Sequence, residues 1–332
     1  MSLAEEARPI LLPASSPLSI ASREDQRMEQ GGLLFIGSKG LGLRVLETVA
    51  TLIPARLSGI VTCADFDDSR SVHSGFQQVC DDLGQELIVA PKASDLTGIV
   101  SERRPDAALV AGWYQIIDGS TLEMVPNGFA GIHASLLPAY RGHAPLVWAI
   151  MNGDSKTGVS LFLLDAGMDT GPVIDQLSVP IEPMDYIDTL LDRATEVSCE
   201  LVTRHCLSLL EGKLSVTPQN EVGASYGSRR RPSDGKIDWS LPAAQVFNSI
   251  RAQSHPYPGA FCWIDGCRQL RIWACKPFKG AYFGVPGLAQ EVHGTGRLVC
   301  CGEGAIVVTQ CSVDGETTAE PRDLIPWGSR LT

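Results

Sequence analysis

The sequence predicts an α/β protein, with a doubly wound, mostly parallel sheet followed by a smaller β-rich, barrel-like domain. Its 332 residues exceed what one core usually serves, at about 150 residues per domain. From residue 33, short apolar runs alternate with helix-length amphipathic segments, which is typical of βαβ units. After residue 211, short strands separated by Gly and Pro replace this pattern. We therefore expect a flexible tail over 1–30, an α/β domain over 31–211 and a β-rich domain over 212–332.

The individual elements follow from hydrophobic periodicity. Strands of the first domain are expected at Leu33–Ile36, Leu57–Val61, Glu86–Ala90, Ala107–Ala111, Phe129–His133, Thr157–Leu163 and Pro172–Val179. Its helices are expected at Leu41–Leu52, Val72–Leu83, Leu96–Glu102 and Ile187–Leu210. The second domain is predicted to contain one helix and four strands, at Ala243–Ala252, Phe261–Trp263, Leu270–Ala274, Gly296–Cys300 and Ala305–Gln310.

Composition narrows the class of function. The net charge of -11 disfavours a nucleic-acid partner, because most of the surface would repel a polyanion. Ten cysteines form no CxxC pair and no metal-ligand spacing, so we expect no metal and reduced thiols in the cytoplasm. No apolar stretch reaches the ~20 residues that span a bilayer, and the first 30 residues lack the basic start of a signal peptide.

Two segments carry residues suited to catalysis. The first is Gly131-Ile132-His133-Ala134-Ser135-Leu136-Leu137-Pro138-Ala139-Tyr140-Arg141-Gly142, which begins at the carboxyl end of a predicted strand. Ligands of open α/β sheets bind beyond this edge, so His133 is expected in the crevice. The second is the acidic, glycine-containing loop Leu164-Asp165-Ala166-Gly167-Met168-Asp169-Thr170-Gly171-Pro172.

Together these segments resemble the folate-dependent formyltransferase family, which includes the methionyl-tRNA, amino-sugar and glycinamide ribonucleotide enzymes. The resemblance covers roughly residues 33–210 and makes this part the folate-binding catalytic domain. The second domain is similar to that of longer family members through the segments 230–239, 250–252 and 256–261. The ending Leu324–Leu331 and the acidic composition point to the sugar-modifying branch rather than to tRNA.

The resemblance implies a role for each matching residue. His133 and Asp169 take the catalytic positions, with Asp169 as proton acceptor for the attacking amine and His133 as an acid near the carbonyl. Ser135, Tyr140 and Arg141 are expected to bind the amine substrate. Asp165 and a backbone cradle for the pterin ring are expected to bind the folate; the cradle consists of Gly112, Trp113, Tyr114, Gln115, Ile116 and Ile117.

One position departs from the family pattern. The family has Asn two residues before the histidine, donating a hydrogen bond to the developing oxyanion, whereas this chain has Gly131. Loss of one such donor costs about 2.7–4 kcal/mol. Ser135, His143 or a water could replace the donor, or the enzyme could be slow, inactive or a variant. Alternatively, Gly131 could leave room for a formimidoyl group, which needs no oxyanion donor.

Several functions therefore remain open. The expected donor is 10-formyltetrahydrofolate or 5-formimidoyltetrahydrofolate. The expected acceptor is a small-molecule amine such as an amino sugar, an aminoglycoside-like natural product of antibiotic biosynthesis or an amino-acid derivative. The alternatives are a formyl-tetrahydrofolate hydrolase and a binding homologue without catalysis. A dehydrogenase is disfavoured because residues 37–42 do not match GxGxxG. A homodimer through the β-rich domain is a further expectation.

Overall fold

A seven-stranded sheet organises the first half of the chain in the computed structural model, which describes residues 31–66, 68, 70–291, 294, 296–313 and 320–332. The expected tail lies outside the described residues. The sheet has the strand order β3-β2-β1-β4-β5-β7-β8, and β1 to β5 are parallel. Its strands are β1 Leu33–Gly37, β2 Leu57–Cys63, β3 Leu87–Ala90, β4 Ala107–Ala111, β5 Phe129–His133, β7 Lys156–Leu163 and β8 Val173–Pro180.

Helices cover both faces of this sheet, because its central strands are apolar on both sides. One hydrophobic core lies between the sheet and the helices on one of its faces, which include the long helix α6. A second core lies on the opposite face, which α3 covers. The helices are α1 Lys39–Leu52, α2 His73–Leu83, α3 Asp95–Arg103, α4 Gly119–Leu122, α5 Pro145–Asn152 and α6 Ile187–Leu210. The predicted doubly wound class is confirmed.

The direction of the chain reverses where the sheet passes from β5 to β7. Strand β7 is antiparallel to both β5 and β8, with His133 opposite Ser160 and Gly131 opposite Phe162. A parallel pair would require a crossover connection, whereas here the chain returns through a loop, the short strand β6 Arg141–Gly142 and α5. The carboxyl end of β5 therefore meets the loops on either side of β6.

An antiparallel five-stranded sheet forms the β-rich part, in the order β10-β11-β14-β13-β12. Its core packs against α7 and the final helix α8 and contains Trp239 and Phe247. The elements are α7 Ala243–Gln253, β10 Ala260–Ile264, β11 Arg268–Pro277, β12 Ala289–Gln290, β13 Arg297–Cys300, β14 Ala305–Val313 and α8 Pro321–Leu324. The predicted β-rich second part is confirmed, while the domain boundaries stay a prediction.

The described residues contain no helix that is long and apolar enough to cross a membrane.

Candidate active site

His133 ends β5 and is buried there with its imidazole held by the backbone. The Nε2 atom lies 2.7 Å from the carbonyl oxygen of Tyr140. Because a carbonyl only accepts, Nε2 carries a proton and donates it. The other ring nitrogen, Nδ1, is 3.6 Å from Oδ2 of Asp169. In the neutral ring this nitrogen presents a lone pair toward the carboxylate.

Asp169 lies in the loop between β7 and β8, with a left-handed backbone (φ 54°). Its Oδ2 accepts a hydrogen bond of 2.6 Å from the backbone N–H of Gly142. The structure thus brings together the two residues predicted to be catalytic, which are separated along the chain by the whole of α5 and β7.

Gly131 lies two residues before His133 in β5, and so on the same face of the sheet. A Cβ atom added there would lie 2.8 Å from Cδ2 of Leu164 and 3.1 Å from Cε1 of Phe162. The expectation of free space beside Gly131 is therefore wrong. Apolar side chains already occupy that space, and we call Gly131, Phe162 and Leu164 the apolar wall of the site.

Ser135 and Arg141 differ from their predicted role as substrate contacts. Both are completely buried. The Ser135 hydroxyl donates to the carbonyl of Ala139 over 2.6 Å, so this hydroxyl is also unsuited to replace the missing oxyanion donor. The Arg141 guanidinium donates to Gln219, Glu221 and Tyr226. The hydrogen bonds of Ser135 and Arg141 therefore stabilise the loop that follows β5.

Tyr140 connects the buried site to the surface. Its carbonyl accepts from His133, while its hydroxyl donates to Asp154 over 2.6 Å and accepts from Asn152 over 3.0 Å. Burial and the bond to Asp154 raise the pKa of the phenol. Its ring lines an open cavity of about 340 Å³ whose other walls are Trp148, Asn152, Ser225, Tyr226 and Ser228. Contact of Tyr140 with a substrate stays a prediction.

The connection between the two sheets lies against both catalytic loops, and we call residues 217–228 the linker strap. Thr217 exchanges two backbone hydrogen bonds of 2.8 Å with Val173, just after the Asp169 loop. Further along, β9 Tyr226–Gly227 pairs in parallel with β6. Ser225 accepts from the backbone of both Tyr140 and Arg141. The strap therefore closes one side of the site.

The predicted pterin cradle follows β4. Gly112 has φ 68°, and a Cβ atom there would lie 2.2 Å from the carbonyl oxygen of Ser38, so only glycine fits. The backbone N–H groups of residues 113–117 form no hydrogen bond with the described part of the chain. The indole N–H of Trp113 is buried and likewise has no partner there. Tyr114 and Ile116 are exposed to 47% and 80%.

Asp165 stabilises its own loop. Its Oδ1 accepts from the backbone N–H of Gly167 (3.0 Å) and from the hydroxyl of Thr170 (2.7 Å), which is an Asx-turn arrangement. The carboxylate remains exposed, so the predicted folate contact stays a prediction. The described residues contain no cluster of His, Cys, Asp and Glu that could hold a metal ion.

Sequence reasoning missed Gln219, Trp148 and the wall residues Phe162 and Leu164. Gln219 lies in a segment after α6 that has no periodicity, and Trp148 lies in a stretch for which the sequence predicted no helix. The wall residues look like ordinary strand and loop positions until β7 is paired with β5.

Comparison with known families identifies the family of the chain. The model of the family described as formyl transferase matches residues 67–205, and that of the formyl transferase C-terminal domain matches residues 230–326. A methionyl-tRNA formyltransferase from Paraburkholderia phymatum is 35% identical over 227 residues, which is 68% of either chain.

Solved structures show the same fold at low sequence identity. The sugar 3N-formyl transferase WlaRD, determined with dTDP and 5-N-formyl-THF, aligns with TM-score 0.64 and 16% identity, over 87% of this chain and 99% of its own. A Helicobacter canadensis N-formyltransferase, determined with folinic acid and dTDP-3-aminofucose, aligns with TM-score 0.63 and 19% identity, over 85% of this chain and 100% of its own. HypX from Aquifex aeolicus, determined with tetrahydrofolic acid, aligns with TM-score 0.62 and 17% identity, over 88% of this chain and 46% of its own.

Proposed function

Since the chain belongs to the folate-dependent formyltransferase family, we propose that it transfers a formyl group from 10-formyltetrahydrofolate to the primary amine of a small molecule. The observation that carries this proposal is the arrangement of His133 and Asp169 at the end of β5. Two proton-accepting atoms, Nδ1 and Oδ2, lie 3.6 Å apart. Each has a fixed orientation, through Tyr140 and Gly142 respectively.

This geometry suits attack by an amine. A single amine nitrogen can donate one N–H to each acceptor, because hydrogen bonds of about 2.9 Å can reach both atoms from one point. Asp169 takes the proton that the nitrogen loses as it bonds to the formyl carbon. The same proton can pass to His133 and from there to the departing folate nitrogen. No covalent enzyme intermediate is needed.

The loop after β4 is the proposed folate site. Residues 113–117 have five backbone N–H groups without a partner among the described residues, and the Trp113 indole adds a sixth such donor. Unpaired donors of this kind are satisfied when a ligand supplies acceptors, and a pterin ring has nitrogen and oxygen acceptors along its edge. The residues present therefore fit the folate, whose bound form supplies the activated one-carbon group.

An amino sugar or a related polar amine is the proposed acceptor. The cavity beside Tyr140 combines the rings of Trp148 and Tyr226 with polar groups from Asn152, Ser225 and Ser228, a mixture suited to sugars. WlaRD is described as a sugar 3N-formyl transferase, and the Helicobacter canadensis protein was determined with dTDP-3-aminofucose. The net charge of -11 argues against tRNA even though a tRNA-modifying relative is similar in sequence.

Formimidoyl transfer is the second candidate, and the apolar wall favours it. The carbon side chains of Phe162 and Leu164 offer no hydrogen-bond donor at Gly131, so an oxyanion would lack the usual amide there. A protonated formimidoyl group becomes a neutral amine when it is attacked and so needs no such donor. For formyl transfer, the imidazole of His143 or a water would have to supply that donor.

We place the reaction in a reducing compartment such as the cytoplasm. All ten cysteines are free, and burial raises the pKa of the Cys206 and Cys80 thiols to about 11, which keeps them protonated and inert. A homodimer remains the expected assembly.

Mass spectrometry of product amines tests the proposal. The protein is incubated with 10-formyl- or 5-formimidoyltetrahydrofolate and a panel of aminoglycosides and nucleotide amino sugars. A formyl mass gain supports the first candidate, and the smaller formimidoyl gain supports the second. Release of formate without any amine would identify a hydrolase. Folate binding without turnover by either donor would contradict the transferase and leave a binding homologue.

A further inference from the structure

The side-chain amide of Gln219 joins the two catalytic loops. Its Nε2 donates to the carbonyls of Asp169 (2.8 Å) and Gly171 (2.7 Å). Its Oε1 accepts from Nε (3.1 Å) and Nη2 (2.9 Å) of Arg141. Both N–H groups and the carbonyl of this one amide are thus used, on one side by the Asp169 loop and on the other by the loop that carries Gly142.

Arg141 gives this bridge a fixed anchor. It is fully buried, and its remaining donors form a bidentate pair with Glu221 (3.0 and 2.8 Å) and a bond of 2.9 Å to the Tyr226 hydroxyl. The hydrogen bonds to Glu221 raise the pKa of the guanidinium, so Arg141 stays charged. A buried guanidinium with every donor engaged has little freedom to move.

We propose that Gln219 is a positioning residue, which sets the Asp169 carboxylate against Gly142 and His133 by tying the Asp169 loop to Arg141. This inference rests on the proposed function. The next residue after Arg141 is Gly142, whose N–H holds Oδ2 of Asp169 at 2.6 Å. The hydrogen bonds of Gln219 and the bond from Gly142 to Asp169 therefore connect the same two loops at two separate points.

The left-handed backbone of Asp169 explains why a bridge is needed. A non-glycine residue at φ 54° is strained and persists only when its surroundings impose it. The bond from Gln219 to the Asp169 carbonyl acts on that residue itself. Without it, the loop can relax by a shift of the order of 1 Å, which is enough to cost about 10²-fold in rate.

Two substitutions separate the bridge from other effects of the side chain. Gln219→Glu keeps the shape and the contact with Arg141 but removes both donors. Gln219→Met removes the polar group without adding a charge. The matched control is Gln85→Glu, which removes an amide donor to the carbonyl of Leu57 (3.2 Å) at the opposite end of the sheet. If Gln219→Met fails to fold, Gln219→Glu carries the test alone.

The readout that does not depend on activity is the Gly142 amide. Arg141–Gly142 is the only Arg-Gly pair in the sequence, so ¹³C-carbonyl arginine with ¹⁵N-glycine labels this one amide for NMR. We expect both Gln219 variants to shift its proton upfield and to speed its exchange, while Gln85→Glu leaves it unchanged. An unchanged Gly142 amide in a folded Gln219 variant would overturn the proposal, whether or not the protein transfers formyl groups.

Steady-state kinetics completes the test. The Gln219 variants are expected to lose about 10²-fold in kcat while KM for the folate stays within about threefold. Parental kcat in both variants, or equal losses in kcat and in folate binding, would overturn positioning and indicate a general structural role. Absence of activity in the parent would count against the proposed function, and the Gly142 signal would still decide the role of Gln219.

Discussion

Two five-residue stretches of backbone border the candidate site, and their hydrogen bonding is opposite. In residues 139–143 every N–H group has a partner within the chain: Leu136, Ser225 twice, Asp169 and Gly227. In residues 113–117 no N–H group has a partner among the described residues. The first stretch belongs to the proposed reaction centre, and the second is the proposed folate loop.

This difference separates the part of the site that the chain builds itself from the part that a ligand completes. Residues 113–117 lie in a partly exposed loop, where a ligand can pair with backbone N–H groups that no described residue engages. The reaction centre, in contrast, is preorganised, which lowers the cost of aligning the proton acceptors during the reaction. The predictions below test the two halves separately.

The largest effect is expected for Asp169→Asn. The amide is a similar shape but cannot accept the amine proton, so kcat should fall by about 10²–10⁴-fold with little change in folate binding. The matched control is Asp175→Asn, because Asp175 also pairs with a histidine, His205, at 2.8 Å but lies outside the site. Comparable losses in both variants would show that the reaction centre is not at Asp169.

Gly131→Asn tests the apolar wall. The added side chain must displace Leu164 and Phe162, and overpacking of this kind costs about 1–3 kcal/mol. We expect a lower midpoint of urea unfolding and no gain in formyl transfer. The double variant Gly131→Asn with Leu164→Ala provides the missing space and should recover part of the stability. If Gly131→Asn alone left stability unchanged and made formyl transfer faster, Leu164 and Phe162 would have to rearrange at little cost in free energy.

Trp113→Phe tests the open half of the site. The substitution removes an indole N–H that has no partner among the described residues, so it breaks no hydrogen bond within that part of the chain. If that N–H donates to the folate, affinity should fall about three- to tenfold, measured by fluorescence titration with tetrahydrofolate. Unchanged affinity would place the pterin elsewhere.

The smallest effect is expected for Glu221→Gln on the linker strap. The hydrogen bonds from Arg141 lower the pKa of the Glu221 carboxyl. Its contribution to stability is therefore present above the ordinary glutamate pKa and is lost as the pH falls through the lowered value. Because Glu221 is 71% exposed, solvent screens most of this contribution. Acid unfolding followed by circular dichroism should show slightly less pH dependence in the variant.

Much of the fold could be predicted because long apolar runs and amphipathic helices are local signals. Helix α6 has the predicted bounds Ile187–Leu210, and β4 and β5 also match. The short strands β6 and β9 could not be predicted, since two residues carry no periodicity and their pairing depends on how the linker strap returns to the site. The sequence pattern also did not predict helix α5, Pro145–Asn152.

The site itself was predictable only in part. His133 and Asp169 were recognised from motifs, and the structure brings them together. The roles of Gly131 and Gln219 depend on side chains contributed by distant segments, across the sheet and across the linker respectively. No pattern within either segment encodes those contacts. Ser135 and Arg141 show the converse, because residues within a catalytic motif can serve its internal structure.

Hydrogen–deuterium exchange of the two stretches, with and without tetrahydrofolate, tests the central claim most directly. We predict that residues 113–117 exchange rapidly in the free protein and become protected on binding, whereas residues 139–143 are protected in both states. Two results would contradict the account. One is protection that appears on folate binding at residues 139–143, and the other is a loop at 113–117 that stays unprotected when folate is bound.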